Sequence, residues 1–190
     1  MTLKIGDKAP DFQVNDQDGH SVKLSSLRGK KVILYFYPKD MTPGCTSEAC
    51  NLRDNHTSLV KKGYEVLGVS TDSEKTHKKF IEKEKLPFRL LADVEKEIHS
   101  SYGTWVEKSM YGRKYMGVDR STFLIDGEGR IRDRIVGDGP IRELDARVSA
   151  HALAIGRKLG LSPSELRALA IAAELHEVGK IARRLNAFAL

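Results

Sequence analysis

The run Val32-Ile33-Leu34-Tyr35-Phe36-Tyr37 is apolar or aromatic without interruption, which predicts a strand over 31–37 buried on both faces. Similar runs predict strands at Tyr64–Ser70 and, more briefly, at Arg89–Ala92. Between them the polar and apolar positions fall at helical spacing, giving helices over 46–62 and 73–85, and a short one over 95–102. Ser121–Ile125 and Ile131–Val136 then flank Asp126-Gly127-Glu128-Gly129 as a hairpin. Alternating elements of this kind predict an α/β fold, a central sheet with helices on its faces. Function in such sheets gathers at the carboxyl ends of strands.

The pattern changes near Gly137-Asp138-Gly139-Pro140. Residues 1–140 hold three alanines and twice as many lysines as arginines, whereas residues 141–190 hold eleven alanines, six arginines and two lysines. The break divides the chain into a domain over 1–138 and a segment over 141–190. The second segment reads as a helical hairpin. Its first helix carries Leu144, Val148, Ala152 and Ile155 on one face and stops at Gly160; its second starts at the capping box Ser162-Pro163-Ser164-Glu165. The apolar stripes exceed what one isolated hairpin covers, so the expectation is packing on the sheet or self-association.

Length, charge and cysteine usage narrow the chemistry. A chain of 190 residues buries one good core and a small appendage. The start, Met1-Thr2-Leu3-Lys4-Ile5-Gly6-Asp7, lacks the apolar core of a signal peptide, and no run reaches membrane-spanning length, so a cytoplasmic location without membrane contact is expected. The net charge of +6 comes from lysines interleaved with acids, the pattern of solvated helix faces, which argues against nucleic acid.

The two cysteines, Cys45 and Cys50, stand five residues apart just past the first buried strand, after the turn-forming Pro43-Gly44. A thiol in the first turn of a helix meets backbone N–H groups that favour thiolate over thiol, so Cys45 is a candidate nucleophile. The competing reading makes each a small buried hydrophobe. In a reducing compartment the pair points to transient redox chemistry rather than a structural disulfide, and too few further ligands lie nearby for a metal site.

Tyr35-Phe36-Tyr37-Pro38-Lys39-Asp40-Met41-Thr42-Pro43-Gly44-Cys45-Thr46, with Ala9-Pro10-Asp11-Phe12, Ala49-Cys50, Leu52-Arg53-Asp54, Gly68-Val69-Ser70-Thr71-Asp72 and Arg120-Ser121-Thr122-Phe123-Leu124-Ile125-Asp126, resembles the Q-type (bacterioferritin-comigratory) peroxiredoxins. The likeness spans residues 3–136. It implies a thioredoxin-like fold and a thiol peroxidase acting on hydrogen peroxide or alkyl hydroperoxides. Cys45 would be the peroxidatic cysteine, Arg120 the active-site guanidinium, Thr42 a hydroxyl that holds the peroxide or caps the helix, and Pro43 a shield over the sulfur.

The same resemblance makes Cys50 the resolving cysteine, whose attack on a Cys45 sulfenic acid leaves an intramolecular disulfide. On an intact helix, positions five apart lie about 8.7 Å apart at Cα and face directions about 140° apart. A disulfide spans at most about 7 Å. The first turns of the helix must therefore unwind. The chain has no C-x-x-C motif, so an external dithiol such as thioredoxin is implied as reductant, with no cofactor.

The tail resembles part of an HD-type metal-dependent phosphohydrolase domain through Ala172-Ala173-Glu174-Leu175-His176-Glu177-Val178-Gly179-Lys180-Ile181. Glu177 stands where that family has aspartate, and Leu144 about where an earlier ligand histidine belongs. His176 with one carboxylate makes a poor metal site, so the tail reads as structural, and the whole as a fusion of a peroxiredoxin with a helical fragment. An assembly module and, more distantly, a phosphohydrolase are the competing functions.

Overall fold

The computed structural model describes residues 3–110, 112–136 and 160. The tail hairpin, its likeness to an HD-type fragment and its role in self-association fall outside the described residues.

Five strands form the central sheet, in the order β5-β4-β3-β8-β9. β3 (Lys31–Phe36), β4 (Tyr64–Ser70) and β5 (Arg89–Ala92) run parallel, while β8 (Ser121–Ile125) lies antiparallel to β3 and pairs with β9 (Ile131–Val136). Helices α1 (Pro43–Lys61), α2 (Glu74–Glu84) and α3 (Glu97–Ser101) connect them. The order of elements and the strand bounds follow the sequence pattern closely.

β3 explains why its run is apolar at every position. Val32, Leu34 and Phe36 enter one core with Phe12, Ile98 and Tyr102, while Ile33, Tyr35 and Tyr37 enter a second with Cys45 and Ala49 of α1 and Phe80 of α2. Successive side chains of a strand point to opposite faces, so each set needs its own covering layer.

Two small hairpins were not expected from the pattern: β1 (Gln13–Asn15) with β2 (Ser21–Lys23), and β6 (Trp105–Met110) with β7 (Arg113–Val118). The helix expected over 46–62 starts at Pro43, with Thr42 at its N-cap. Proline suits the first helical position, since its missing N–H would have no partner there and its φ is already helical. Cys45 is thus the third residue of α1.

Candidate active site

Strand register brings the site together. Phe36 at the end of β3 pairs with Ser121 at the start of β8, so Arg120, one residue earlier, sits beside the loop that leads from β3 into α1. From there its Nη2 donates to Cys45 Sγ at 3.3 Å. Cys45 is at once in the first helical turn and in the second core, with 2% of its surface exposed.

The other arm of the guanidinium donates from Nη1 to Glu48 Oε2. Glu48 follows Cys45 by three residues, the spacing that places two side chains on one helix face. Burial works against the arginine's charge, but Glu48 and then the Cys45 sulfur outweigh it and push its pKa upward. A planar fork can hold two acceptors at once, which a lysine ammonium cannot do with the same geometry. Glu48 was not singled out in the sequence; its i+3 position from the thiol was the available signal.

Thr42 does not cap the helix with its side chain. Its hydroxyl instead donates to the Lys39 carbonyl at 3.1 Å, which leaves the oxygen's lone pairs to accept a further hydrogen bond. Pro43 is exposed at the head of α1. Thr42, Pro43, Cys45 and Arg120 are therefore gathered in one place.

A buried network fixes the loop that carries them. Tyr37 Oη donates to Asp40 Oδ1 at 2.6 Å, and His77 Nδ1 of α2 lies 2.8 Å from Asp40 Oδ2, with its Nε2 3.1 Å from the Leu91 carbonyl. The Asp40 N–H donates to Asp72 Oδ2 at 2.8 Å, and Ser70 Oγ donates to the same oxygen. Burial, reinforced by Tyr35 and Asp40, pushes the Tyr37 phenol well up. Between these anchors and Thr42, Met41 holds a left-handed backbone, φ 58°, uncommon for a residue with a side chain.

Cys50 occupies the same helix as Cys45 but a different environment. Its Sγ donates to Glu84 Oε2 at 3.6 Å, at the end of α2, and Arg53 Nη1 donates to the Glu84 carbonyl at 2.7 Å. Burial, then the Glu84 charge against the partial relief of Arg53, push the Cys50 thiol up. Both cysteines are free thiols on one continuous helix, so the separation expected from helix geometry applies.

Elsewhere among the described residues, Asp16, Asp18 and His20 cluster closely enough to hold an ion, but Asp16 Oδ1 is occupied by the N–H groups of Asp18 and His20. A cavity of about 340 Å³ bordered by Asp11, Asp93, Glu95 and Glu97 is not lined by Thr42, Pro43, Cys45, Cys50 or Arg120. No helix among the described residues is long and apolar enough to cross a membrane.

Residues 5–134 match the AhpC/TSA family. Peroxiredoxin Bcp of Bacillus subtilis is 52% identical over 131 residues, which is 69% of this chain and 83% of that protein. Peroxiredoxin Bcp of Escherichia coli is 50% identical over 129 residues, 68% of this chain and 83% of its own length. Among solved structures, peroxiredoxin Q of Xanthomonas campestris superposes with a TM-score of 0.69 at 32% identity, covering 78% of this chain and 89% of that one. Another structure from that organism, of its bacterioferritin comigratory protein in a study of alkyl peroxide reduction, gives the same score and identity. With a cysteine and an arginine paired at the carboxyl end of β3 and this degree of likeness, the chain belongs to the AhpC/TSA family, within it to the Bcp or Q-type peroxiredoxins, and is a thiol peroxidase.

Proposed function

We propose that Cys45 is the peroxidatic cysteine, that Cys50 resolves it, and that hydrogen peroxide and alkyl hydroperoxides are the substrates. The observation that carries this reading is the 3.3 Å contact from the Arg120 guanidinium to the Cys45 sulfur. A fixed cation there stabilises negative charge on the attacking sulfur without having to reorganise.

The sulfur attacks the nearer peroxide oxygen and the O–O bond breaks. The far oxygen leaves with the electron pair, takes a proton and departs as water or alcohol, while Cys45 becomes a sulfenic acid. The N–H groups at the head of α1 and the free lone pairs of Thr42 Oγ1 are placed to orient the two oxygens. Pro43, at the first position of the helix, limits access to the sulfur. Cys50 then displaces the oxygen from Cys45, and an external dithiol of the thioredoxin type reduces the resulting disulfide. A reducing, cytoplasmic setting suits two free thiols of this kind.

Mass spectrometry after one equivalent of peroxide tests the assignment. A Cys45–Cys50 disulfide is expected in the unsubstituted chain, and a trapped sulfenic acid on Cys45 in Cys50→Ser. Oxidation that survives in Cys45→Ser would overturn it. The composition break at Pro140 supports residues 141–190 as an appended and fused segment, and the apolar stripes in its sequence support a role in self-association. Sedimentation of the full chain against one ending at Pro140 tests that, and identical monomeric behaviour with equal stability would remove it.

A further inference from the structure

Four groups surround the Cys50 thiol or its immediate partner: Arg53 and Asp54 from α1, Glu84 and Lys83 from α2. Only one of them touches the sulfur as an acceptor. Glu84 Oε2 lies 3.6 Å from Sγ, within reach of an S–H donor, and the Glu84 side chain is 17% exposed. Its second carboxylate oxygen is 3.9 Å from Lys83 Nζ. Arg53 binds the Glu84 main-chain oxygen, not the carboxylate, so Oε2 is left facing the thiol.

The peroxide step leaves this group unused. Yet the resolving step needs a base at the Cys50 proton, and Glu48, the carboxylate beside Cys45, is held by Arg120 instead. The Cys50 thiol is held protonated in the reduced fold, chiefly by burial, and the nucleophile in thiol chemistry is the thiolate. A base within reach of the proton removes that obstacle, and hydrogen-bond contact is the geometric condition for one.

We propose that Glu84 is the general base of disulfide formation. This rests on the reading of Cys50 as the resolving cysteine. As the Cys50 sulfur attacks Cys45, its S–H bond breaks and the proton passes to Glu84 Oε2. The S–S bond forms, the Cys45 S–O bond breaks, and the oxygen leaves with that electron pair. It collects a proton and departs as water, after which Glu84 returns its own proton to solvent. The Cys45 sulfur is reduced and the Cys50 sulfur oxidised by the same amount, so no further oxidant is needed.

The same residue also ties α1 to the end of α2. Cys50 and Arg53 are both tied to Glu84, so the base stays beside the thiol as long as this stretch of α1 keeps its contact with the end of α2.

Glu84→Gln keeps the size of the side chain and the carbonyl that Arg53 binds. In the full chain, rapid quenching after one equivalent of hydrogen peroxide, followed by mass spectrometry, separates sulfenic acid formation from disulfide formation. The first rate is expected to stay within about two-fold, and the second to fall by about ten-fold or more at neutral pH, as removal of a general base does. The deficit should close as pH rises above the ordinary thiol range, where free thiolate needs no base. An unchanged or faster second step overturns the proposal, because a carboxylate that only repels the thiolate would speed resolution when neutralised. So does a slowing that is the same at every pH, which would mark a purely structural role. Failure of the unsubstituted chain to form the Cys45–Cys50 disulfide would remove the reading of Cys50 itself, and this inference with it.

Discussion

The Arg120 guanidinium lies 3.3 Å from the Cys45 sulfur although 75 residues separate them in the chain. The pairing of β3 with β8 makes that possible, and Glu48 fixes the fork in the plane where one arm meets sulfur. Arg120→Met should lower the rate constant of Cys45 with peroxide by about 100-fold or more, the usual cost of a preorganised donor at the reacting atom. Arg120→Lys should still lose about ten-fold, since an ammonium does not serve sulfur and carboxylate as a planar fork does. Stopped-flow loss of the Cys45 thiol measures both; equal rates for Lys and Arg would refute the fork.

The thiol of Cys50 should be a poor nucleophile in the resting protein. Its pKa is raised, first by burial, so the thiolate fraction at neutral pH is smaller than that of a free cysteine. In Cys45→Ser, alkylation by iodoacetamide should follow a titration midpoint above the ordinary value of about 8.5. A midpoint below that value would contradict the described environment.

Asp40 and His77 should respond differently to substitution. His77→Ala strips a buried carboxylate of its partner and should cost about 3–5 kcal/mol of stability. Asp40→Asn should be milder, because an amide can still accept from Tyr37 and donate to His77 Nδ1, while Nε2–H donates to the Leu91 carbonyl. Urea unfolding of the two variants gives the comparison directly, and equal losses would mean that the charge itself matters more than the bonds.

Asp93 ties stability to pH. Burial alone would push its carboxyl up, but hydrogen bonds from the His99 ring and the N–H groups of His99 and Ile98 outweigh that, so its pKa is lowered on folding. The stabilisation is therefore complete above the unfolded value near 3.9 and is lost as pH falls through the lower folded value. Asp93→Asn should destabilise the protein by about 2–3 kcal/mol at pH 7. As pH falls below that unfolded value the gap between the two proteins should shrink in urea unfolding; a constant gap would show that the ionised carboxylate contributes nothing.

Much of this fold is written in apolar runs. β4, β5, β8 and β9 begin and end where the pattern places them, because each is bounded by polar or turn residues and faces a covered surface. β7 was invisible for the opposite reason. Arg113 to Met116 are all exposed, so no face of the strand alternates toward a core and pairing with β6 alone defines it. At the site, Cys45, Thr42, Pro43 and Arg120 are legible through short motifs. Asp40 lies within the same motif, but its partner His77 is one polar residue in the charged stretch Glu74-Lys75-Thr76-His77-Lys78-Lys79, and only the packing of α2 on the sheet brings them together. Glu84 was hidden in the same way, since its contact with Cys50 depends on where α2 ends.

α1 is nineteen residues long yet buries only Cys45, Ala49 and Leu59. Two of these three lie near the head of the helix, and one of them is the cysteine whose sulfur accepts from Arg120. Cys45 shares its buried cluster with Tyr35, Tyr37 and Ala49, so an oxygen added to its sulfur would enlarge a side chain in a packed core, a destabilising change. On the role proposed for Cys45, its oxidation would weaken the packing that fastens the head of α1, the part of the helix that disulfide formation needs to open.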